Sequence, residues 1–166
     1  QEPPRSTKER LFTRKVLLRS IFIGVIIAAG AMFGCLSVWT SGGWYFGMEL
    51  TATHPFYTSG IYTKGVTMTF AGIVVAQIGN VLACRTSRQS IFKTSIRTNK
   101  WIVYGIIAQL TILATLIYVP PMQEFFGTTA LAIGDWIFLF ALAGVVIVAE
   151  EIRKFFTRRF TKSNTT

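Results

Sequence analysis

The most polar side chains inside the long apolar runs of this sequence are three amides, Gln77, Asn80 and Gln109. Gln77 and Asn80 are three residues apart, so a helix places both on one face. Amides in a bilayer are costly unless paired, and we therefore expect them to face protein. Their carbonyl oxygens could serve two purposes. They could hydrogen-bond between helices, or Gln77 and Asn80 could form one edge of a cation site, because hard cations prefer oxygen ligands.

Residues suited to catalysis are scarce. Asp135 is the one aspartate and His54 the one histidine, so neither a catalytic triad nor a histidine metal site is predicted. Residues 60–65 (GIYTKG) resemble the start of a phosphate-binding loop, but Val66 follows where that motif requires Lys, so its Gly-Lys-Ser/Thr ending is missing. We expect no catalytic residue and no cofactor-binding residue in this segment.

Four runs of the chain lack charged residues. They lie between Arg19 and Glu49, Lys64 and Arg85, Lys100 and Glu124, and Asp135 and Glu150. A membrane-spanning helix needs roughly 18 or more mostly apolar residues. The fourth run has only 14 uncharged residues and could alone be a buried or interfacial helix. It spans a membrane if Asp135 caps its amino end at the outer interface and Glu150 and Glu151 reach the inner one.

Positive charge alternates along the chain. Of the 17 Lys and Arg residues, six lie in 1–20, five in 85–100 and five in 150–166, while the other two connections hold only Lys64. By the positive-inside rule the basic segments face the cytoplasm, where they also meet anionic lipid. This pattern accounts for the net charge of +10 without nucleic-acid binding.

The sequence therefore predicts an all-α membrane protein with four transmembrane helices and both termini in the cytoplasm. The predicted spans are 21–40, 65–84, 101–119 and 134–153. The basic cytoplasmic segments are 1–20, 85–100 and 154–166, and the extracytoplasmic loops are 41–64 and 120–133. Cys35 and Cys84 fall at different depths, so we expect no disulfide and interpret both as packing residues.

Several short segments resemble, in order, one known family. They are 2–9 (EPPRSTKE), 67–70 (TMTF) with Gln77 and Asn80, 85–90 (RTSRQS), 118–122 (YVPPM) and 150–155 (EEIRKF). Together they resemble the carboxy-terminal helices, seven to ten, of P-type cation-transporting ATPases such as the calcium and sodium/potassium pumps. The resemblance implies that the partners of this segment are the upstream helices and cytoplasmic domains of a pump, which bind ATP and Mg²⁺.

The resemblance also bears on the transported cation. Gln77 stands where the reticulum calcium pump has a glutamate ligand, and a neutral amide should weaken divalent binding. One Ca²⁺ or monovalent ions then fit better than two Ca²⁺. Gly30 and Gly34 form a G-x-x-x-G pair, which favours ordinary close packing of helices. The resemblance offers the mobile helix five as an alternative partner for this face.

Two functions remain open. The segment either completes a cation pump, which we expect in the plasma membrane, or is a free-standing four-helix scaffold or accessory subunit without transport activity.

Overall fold

The structure, a computed structural model, describes residues 14–48, 54–84 and 100–163. These ranges contain six helices: α1 (Arg14–Ser41), α2 (Pro55–Thr58), α3 (Ile61–Cys84), α4 (Lys100–Tyr118), α5 (Pro120–Phe126) and α6 (Ile133–Ser163). Four of them, α1, α3, α4 and α6, are long and apolar enough to cross a membrane. The all-α class with four spans is confirmed, whereas the side on which the termini lie stays a prediction.

The helices extend beyond the predicted spans. Residues 14–20, predicted as part of a basic loop, belong to α1, and α6 continues ten residues past the predicted end at 153. The charged residues end the apolar run but not the helix, because Lys, Arg and Glu are all good helix formers. The third predicted span, in contrast, stops one residue early, since Val119 is extended.

Two prolines divide α4 from α5. Pro120 and Pro121 have no N–H, so the carbonyls four residues before them, on Leu116 and Ile117, lose their helical donors. Two side chains of the following segment replace these donors. Thr128 Oγ1 donates to the Leu116 carbonyl and Gln123 Nε2 to the Ile117 carbonyl, both at 2.5 Å. The turn after the prolines is thus fixed to the helix that they end.

α3 is the central helix and packs between α1 and α6 through small residues. Gly72 lies against Ala31 of α1, and Gly79 lies against the backbone of Ala143 of α6. A Cβ at Gly79 would come within 2.5 Å of the Ala143 carbonyl oxygen. These glycines allow close backbone approach, which is the usual basis of helix packing in membranes.

The space beside the glycine pair of α1 is occupied by side chains of α6. A side chain at Gly30 would meet Leu142 of α6, and one at Gly34 would meet Phe138 of the same helix. Of the two interpretations of this glycine pair, ordinary packing between helices of this chain is what the structure shows. The reason is that α6, the last helix, returns to pack beside the first.

The start of α6 corrects a second expectation. Asp135 is not the residue before the helix but lies in its first turn, and its Oδ2 accepts a 2.8 Å hydrogen bond from the Ala132 N–H. This is the carboxylate half of a capping box. Lys64 of α3 binds the same oxygen at 3.0 Å.

Aromatic residues of α1, α2, α3 and the connection after α1 form a packed cluster. Trp39 contacts Trp44, Phe56 and Tyr62, with ring centroids 5.5 to 5.7 Å apart. His54 precedes α2 and accepts a hydrogen bond at Nδ1 from the Phe56 N–H. We call this end of the bundle, with the Lys64–Asp135 pair, the aromatic end, and the other, where α1 begins, the basic end.

Candidate functional site

Gln77 and Asn80 are brought together by α3 as predicted. Asn80 Nδ2 donates to Gln77 Oε1 at 3.0 Å. Among the residues that the structure describes, the expected burial is not found, because Gln77 is exposed and Asn80 only half-buried. At 3.6 residues per turn, Gln77 lies on the side of α3 opposite Gly72 and Gly79. Gln77 thus faces away from α1 and α6, whereas Asn80 lies at the side of α3, between the two faces.

The amide pair continues as a chain of hydrogen bonds toward the basic end. Cys84 Sγ donates to Asn80 Oδ1 at 3.2 Å, and the Arg19 guanidinium of α1 donates to Cys84 Sγ at 3.0 Å. We call Arg19, Cys84, Asn80 and Gln77 the amide chain. Every donor in it points the same way, so each bond polarises the next.

Cys84 is therefore not the packing residue that the sequence suggested. It is exposed and links Arg19 to Asn80, whereas Cys35 is buried, and both thiols are free. The difference arises because Cys84 is the last residue of α3, where the side chain of Arg19 can reach it.

The amide chain ends on a buried carboxylate. Glu150 of α6 is fully buried, and its Oε1 lies 2.6 Å from Arg19 Nη2. Arg153 binds the same carboxylate with two nitrogens, at 2.7 and 2.8 Å. A buried carboxylate is tolerable when it is paired and hydrogen-bonded in this way. It allows α6 to contain a charge inside a helix that crosses the membrane.

Lys154 attaches α6 to the end of α3. Its ammonium is buried and donates to the Ala83 carbonyl at 2.8 Å and to Glu151 at 2.9 Å. The last carbonyls of a helix have no helical donors, and a cation is the favoured partner there. The basic end therefore joins α1, α3 and α6 through side chains whose partners the sequence did not reveal.

The third amide has a different role. Gln109 of α4 donates through Nε2 to the Val74 carbonyl of α3 at 3.0 Å. This is an interhelical hydrogen bond, the first of the two alternatives for the amides. Gln109 lies outside the amide chain and does not join Gln77 and Asn80.

The amide chain can offer oxygen ligands but not a complete cation site. Gln77 Oε1 and Asn80 Oδ1 each accept one hydrogen bond and retain a second lone pair. Six to eight oxygens surround Ca²⁺ in proteins. No group of three His, Cys, Asp or Glu side chains suited to a metal occurs in residues 14–48, 54–84 and 100–163. Any complete site requires ligands from outside the described helices.

No motif in the sequence indicates the ion pairs. Arg19 directly precedes the first uncharged run, and Glu150 directly follows the fourth. Because successive spans run in opposite directions, both residues lie at the basic end. Their shared depth in the bundle was the sequence feature that could have indicated this ion pair. Lys64 and Asp135 could be related in the same way, since both border uncharged runs at the aromatic end.

Comparison with known proteins identifies the surroundings from which further ligands could come. Residues 1–156 match the family described as cation transporting ATPase, C-terminus. The chain is 30% identical over 155 residues to calcium-transporting ATPase type 2C member 1 of Homo sapiens, covering 93% of this chain and 15% of that protein. It is 28% identical to calcium-transporting ATPase 1 of Saccharomyces cerevisiae, covering all of this chain and 16% of that protein. The chain thus spans about 15% of the relatives it matches.

Proposed function

The chain belongs to the cation-transporting ATPase C-terminal family, and from this membership we propose that it is the carboxy-terminal membrane domain of an ATP-driven cation pump. The named relatives are calcium-transporting ATPases, which supports Ca²⁺ as the transported cation. ATP and Mg²⁺ bind, in this proposal, to upstream domains. The free-standing scaffold is not favoured, because the match covers 93% to 100% of the chain.

The observation that carries the proposal is the position of the amide pair. Gln77 is exposed among Phe70, Ile73 and Val81, which are 39% to 46% exposed on α3. An amide facing hydrocarbon would lose its hydrogen bonds to water without replacement. This face therefore requires a protein partner, and the upstream helices of the pump supply it.

We propose that Gln77 and Asn80 form one edge of the cation site at that interface. The amide chain supports this role, because Arg19 and Cys84 fix the orientation of Asn80, and Asn80 in turn holds Gln77. Since both ligands are neutral, the negative charge of the site comes from upstream helices. Fewer carboxylates favour a single Ca²⁺, or monovalent ions, over two Ca²⁺.

Replacement of each amide by Leu in the full-length pump tests the site. For Gln77→Leu and Asn80→Leu we expect the Ca²⁺ concentration for half-maximal phosphorylation to rise about tenfold, the scale of one lost polar contact with a charged group. Gln109→Leu is the matched control, because it removes an amide of α4 whose partner is the Val74 carbonyl. Unchanged Ca²⁺ dependence in both α3 variants would leave these amides a packing role only.

We also propose that both termini lie in the cytoplasm and that the pump resides in the plasma membrane. The basic segments support the orientation. The four helices that can cross a membrane support an integral, multi-pass location, for which the plasma membrane is our proposal. Protease access to tags at each terminus in sealed vesicles tests the orientation. Imaging of the tagged pump beside markers of internal and plasma membranes tests the location.

A further inference from the structure

A cleft of about 700 Å³ opens at the aromatic end, between α1, α3 and α6. Ser41 and Gly42 of α1, Lys64 and Met68 of α3, and Gly134 and Phe138 of α6 line it, together with Asp135. Its volume is within the usual range of small-molecule sites. None of these residues belongs to the amide chain, so the cleft is separate from the proposed cation site.

The cleft presents opposite charges side by side. Lys64 Nζ and Asp135 Oδ2 are 3.0 Å apart, with side chains 37% and 15% exposed. Oδ2 also accepts from the Ala132 N–H, so the other carboxylate oxygen is available for a further donor. A ligand that carries both a cation and an anion can contact this pair without leaving either charge unpaired.

Hydroxyl groups add acceptors beside the ion pair. Ser37 and Ser41 donate to the carbonyls of Phe33 and Val38 in their own helix, at 2.8 and 2.9 Å. Each hydroxyl oxygen retains acceptor capacity. The cleft therefore favours a ligand whose cationic group has N–H donors.

The position of the cleft identifies the source of such a ligand. It lies where α1 ends and α3 and α6 begin, and Trp39 and Tyr62 stack at the same end of the bundle. Ends of spans with packed Trp and Tyr mark the headgroup layer of a bilayer. Toward the middle of the bundle the lining becomes apolar, with Met68 and Phe138, as acyl chains require.

We propose that this cleft binds the headgroup of a zwitterionic phospholipid with a primary ammonium, of the phosphatidylethanolamine class. Lys64 contacts the phosphate, and Asp135 with the hydroxyl oxygen of Ser41 accepts from the ammonium. A choline headgroup has no N–H donors and binds more weakly. A phosphatidylglycerol headgroup has a net negative charge and carries no ammonium group that could pair with Asp135.

Lipid retention by the full-length pump tests the proposal. The purified pump, in nanodiscs of equal phosphatidylethanolamine, phosphatidylcholine and phosphatidylglycerol, is crosslinked with a photoreactive phosphatidylethanolamine, and the labelled peptides are mapped by mass spectrometry. We expect label on the peptide that contains Asp135 and competition by unlabelled phosphatidylethanolamine. Phosphatidylcholine should compete about tenfold less well, because it cannot donate hydrogen bonds to the carboxylate.

Two variants separate the cleft from the general lipid surface. Gly134→Leu adds bulk where a Cβ would meet no atom within 4 Å, and Gly144→Leu on the same helix, also open, is its control. Lys64→Gln combined with Asp135→Asn removes both charges together, with Glu124→Gln as the control for charge at the aromatic end. We expect about a tenfold loss of label in the two cleft variants only.

Three results would overturn the proposal. These are equal competition by all three lipids, undiminished labelling of both cleft variants, and displacement of the lipid by soluble phosphoethanolamine at the same concentration. The third would identify a soluble ligand instead of a lipid. Gel filtration and circular dichroism establish that each variant is folded, so loss of label cannot come from unfolding.

Discussion

α3 and α4 are both apolar helices that can span a membrane, yet they are held in different ways. Half of the most apolar 18-residue window of α3 is buried, whereas in α4 Leu113 and Ile117 alone are buried among residues 100–118. α3 has neighbours along its whole length, from Lys64 at the aromatic end to Ala83 at the basic end. α4 is attached mainly in the half that ends at the two prolines.

The difference follows from residue size and position. α3 carries Gly72 and Gly79 where α1 and α6 approach, and the close contact buries neighbouring residues as well. α4 has one glycine, Gly105. A Cβ added there would meet no side chain within 4 Å and no backbone of another helix. Its exposed large residues, Tyr104, Ile107 and Ile112, are available for lipid or for the rest of a pump. Equal hydropathy thus does not imply equal burial.

The largest effect is expected at the basic end, where Glu150 of α6 is paired with Arg19 of α1. Glu150→Ala leaves Arg19 and Arg153 without the carboxylate that pairs them, and both are about a quarter exposed. We expect a loss of about 3 kcal/mol of stability, below the upper range for fully buried pairs. Thermal unfolding of the full-length pump in detergent measures it. Glu124→Gln, at the exposed position on α5, should change little.

The glycines of α3 and α4 give the sharpest direct comparison. In Gly79→Ala the new Cβ meets the Ala143 backbone, which cannot move aside easily, and we expect a loss of about 2 kcal/mol. In Gly105→Ala the methyl enters open space, so no loss is expected and helix propensity favours Ala. Equal melting temperatures for the two variants would contradict the difference between the helices.

The attachment of α4 at its last turn can be broken separately. Gln123→Leu leaves the Ile117 carbonyl, freed by Pro121, without its donor. An unsatisfied buried carbonyl costs about 1 to 2 kcal/mol. We expect faster hydrogen exchange in residues 113–118 while α3 keeps its protection. If exchange rises equally in α3, the two helices are held as one unit.

The smallest effect is expected at the hydrogen bond between the two helices. Gln109→Leu removes the donor to Val74, whose carbonyl already accepts within α3. Interhelical hydrogen bonds in membranes contribute about 0.6 kcal/mol on average. We expect a melting temperature within one or two degrees of the native pump, because about 1 kcal/mol shifts it by only ~2–4 °C in a large domain. A larger shift would mean that α4 depends on this one contact.

The sequence predicted the helices well and their ends less well. Long uncharged runs and alternating basic segments identified all four spans, because a bilayer penalises charge and unpaired backbone alike. The predicted first span begins after the charged residues 14–19, and the predicted fourth span ends at Arg153. Arg19 instead lies within α1, where its charge is paired with that of Glu150, and α6 continues to Ser163.

For the candidate site, too, the sequence predicted some features and left others to the structure. Spacing alone placed Gln77 and Asn80 together, because a helix repeats every 3.6 residues. The sequence did not reveal that Cys84 and Arg19 continue this pair, or that Gln77 faces away from α1 and α6. These features depend on how α3 is rotated against its neighbours, and the contacts of Gly72 and Gly79 set that rotation.

The sequence by itself thus determined the number of spans, their chemistry and the family, because these depend on local composition and order. Tertiary structure alone decided that Gly30 and Gly34 pack against α6, that Lys64 meets Asp135, and that Glu150 of α6 pairs with Arg19 of α1. Such pairings join residues up to 131 positions apart, as for Arg19 and Glu150. They follow from how rigid helices fit side by side, which no local pattern of residues encodes.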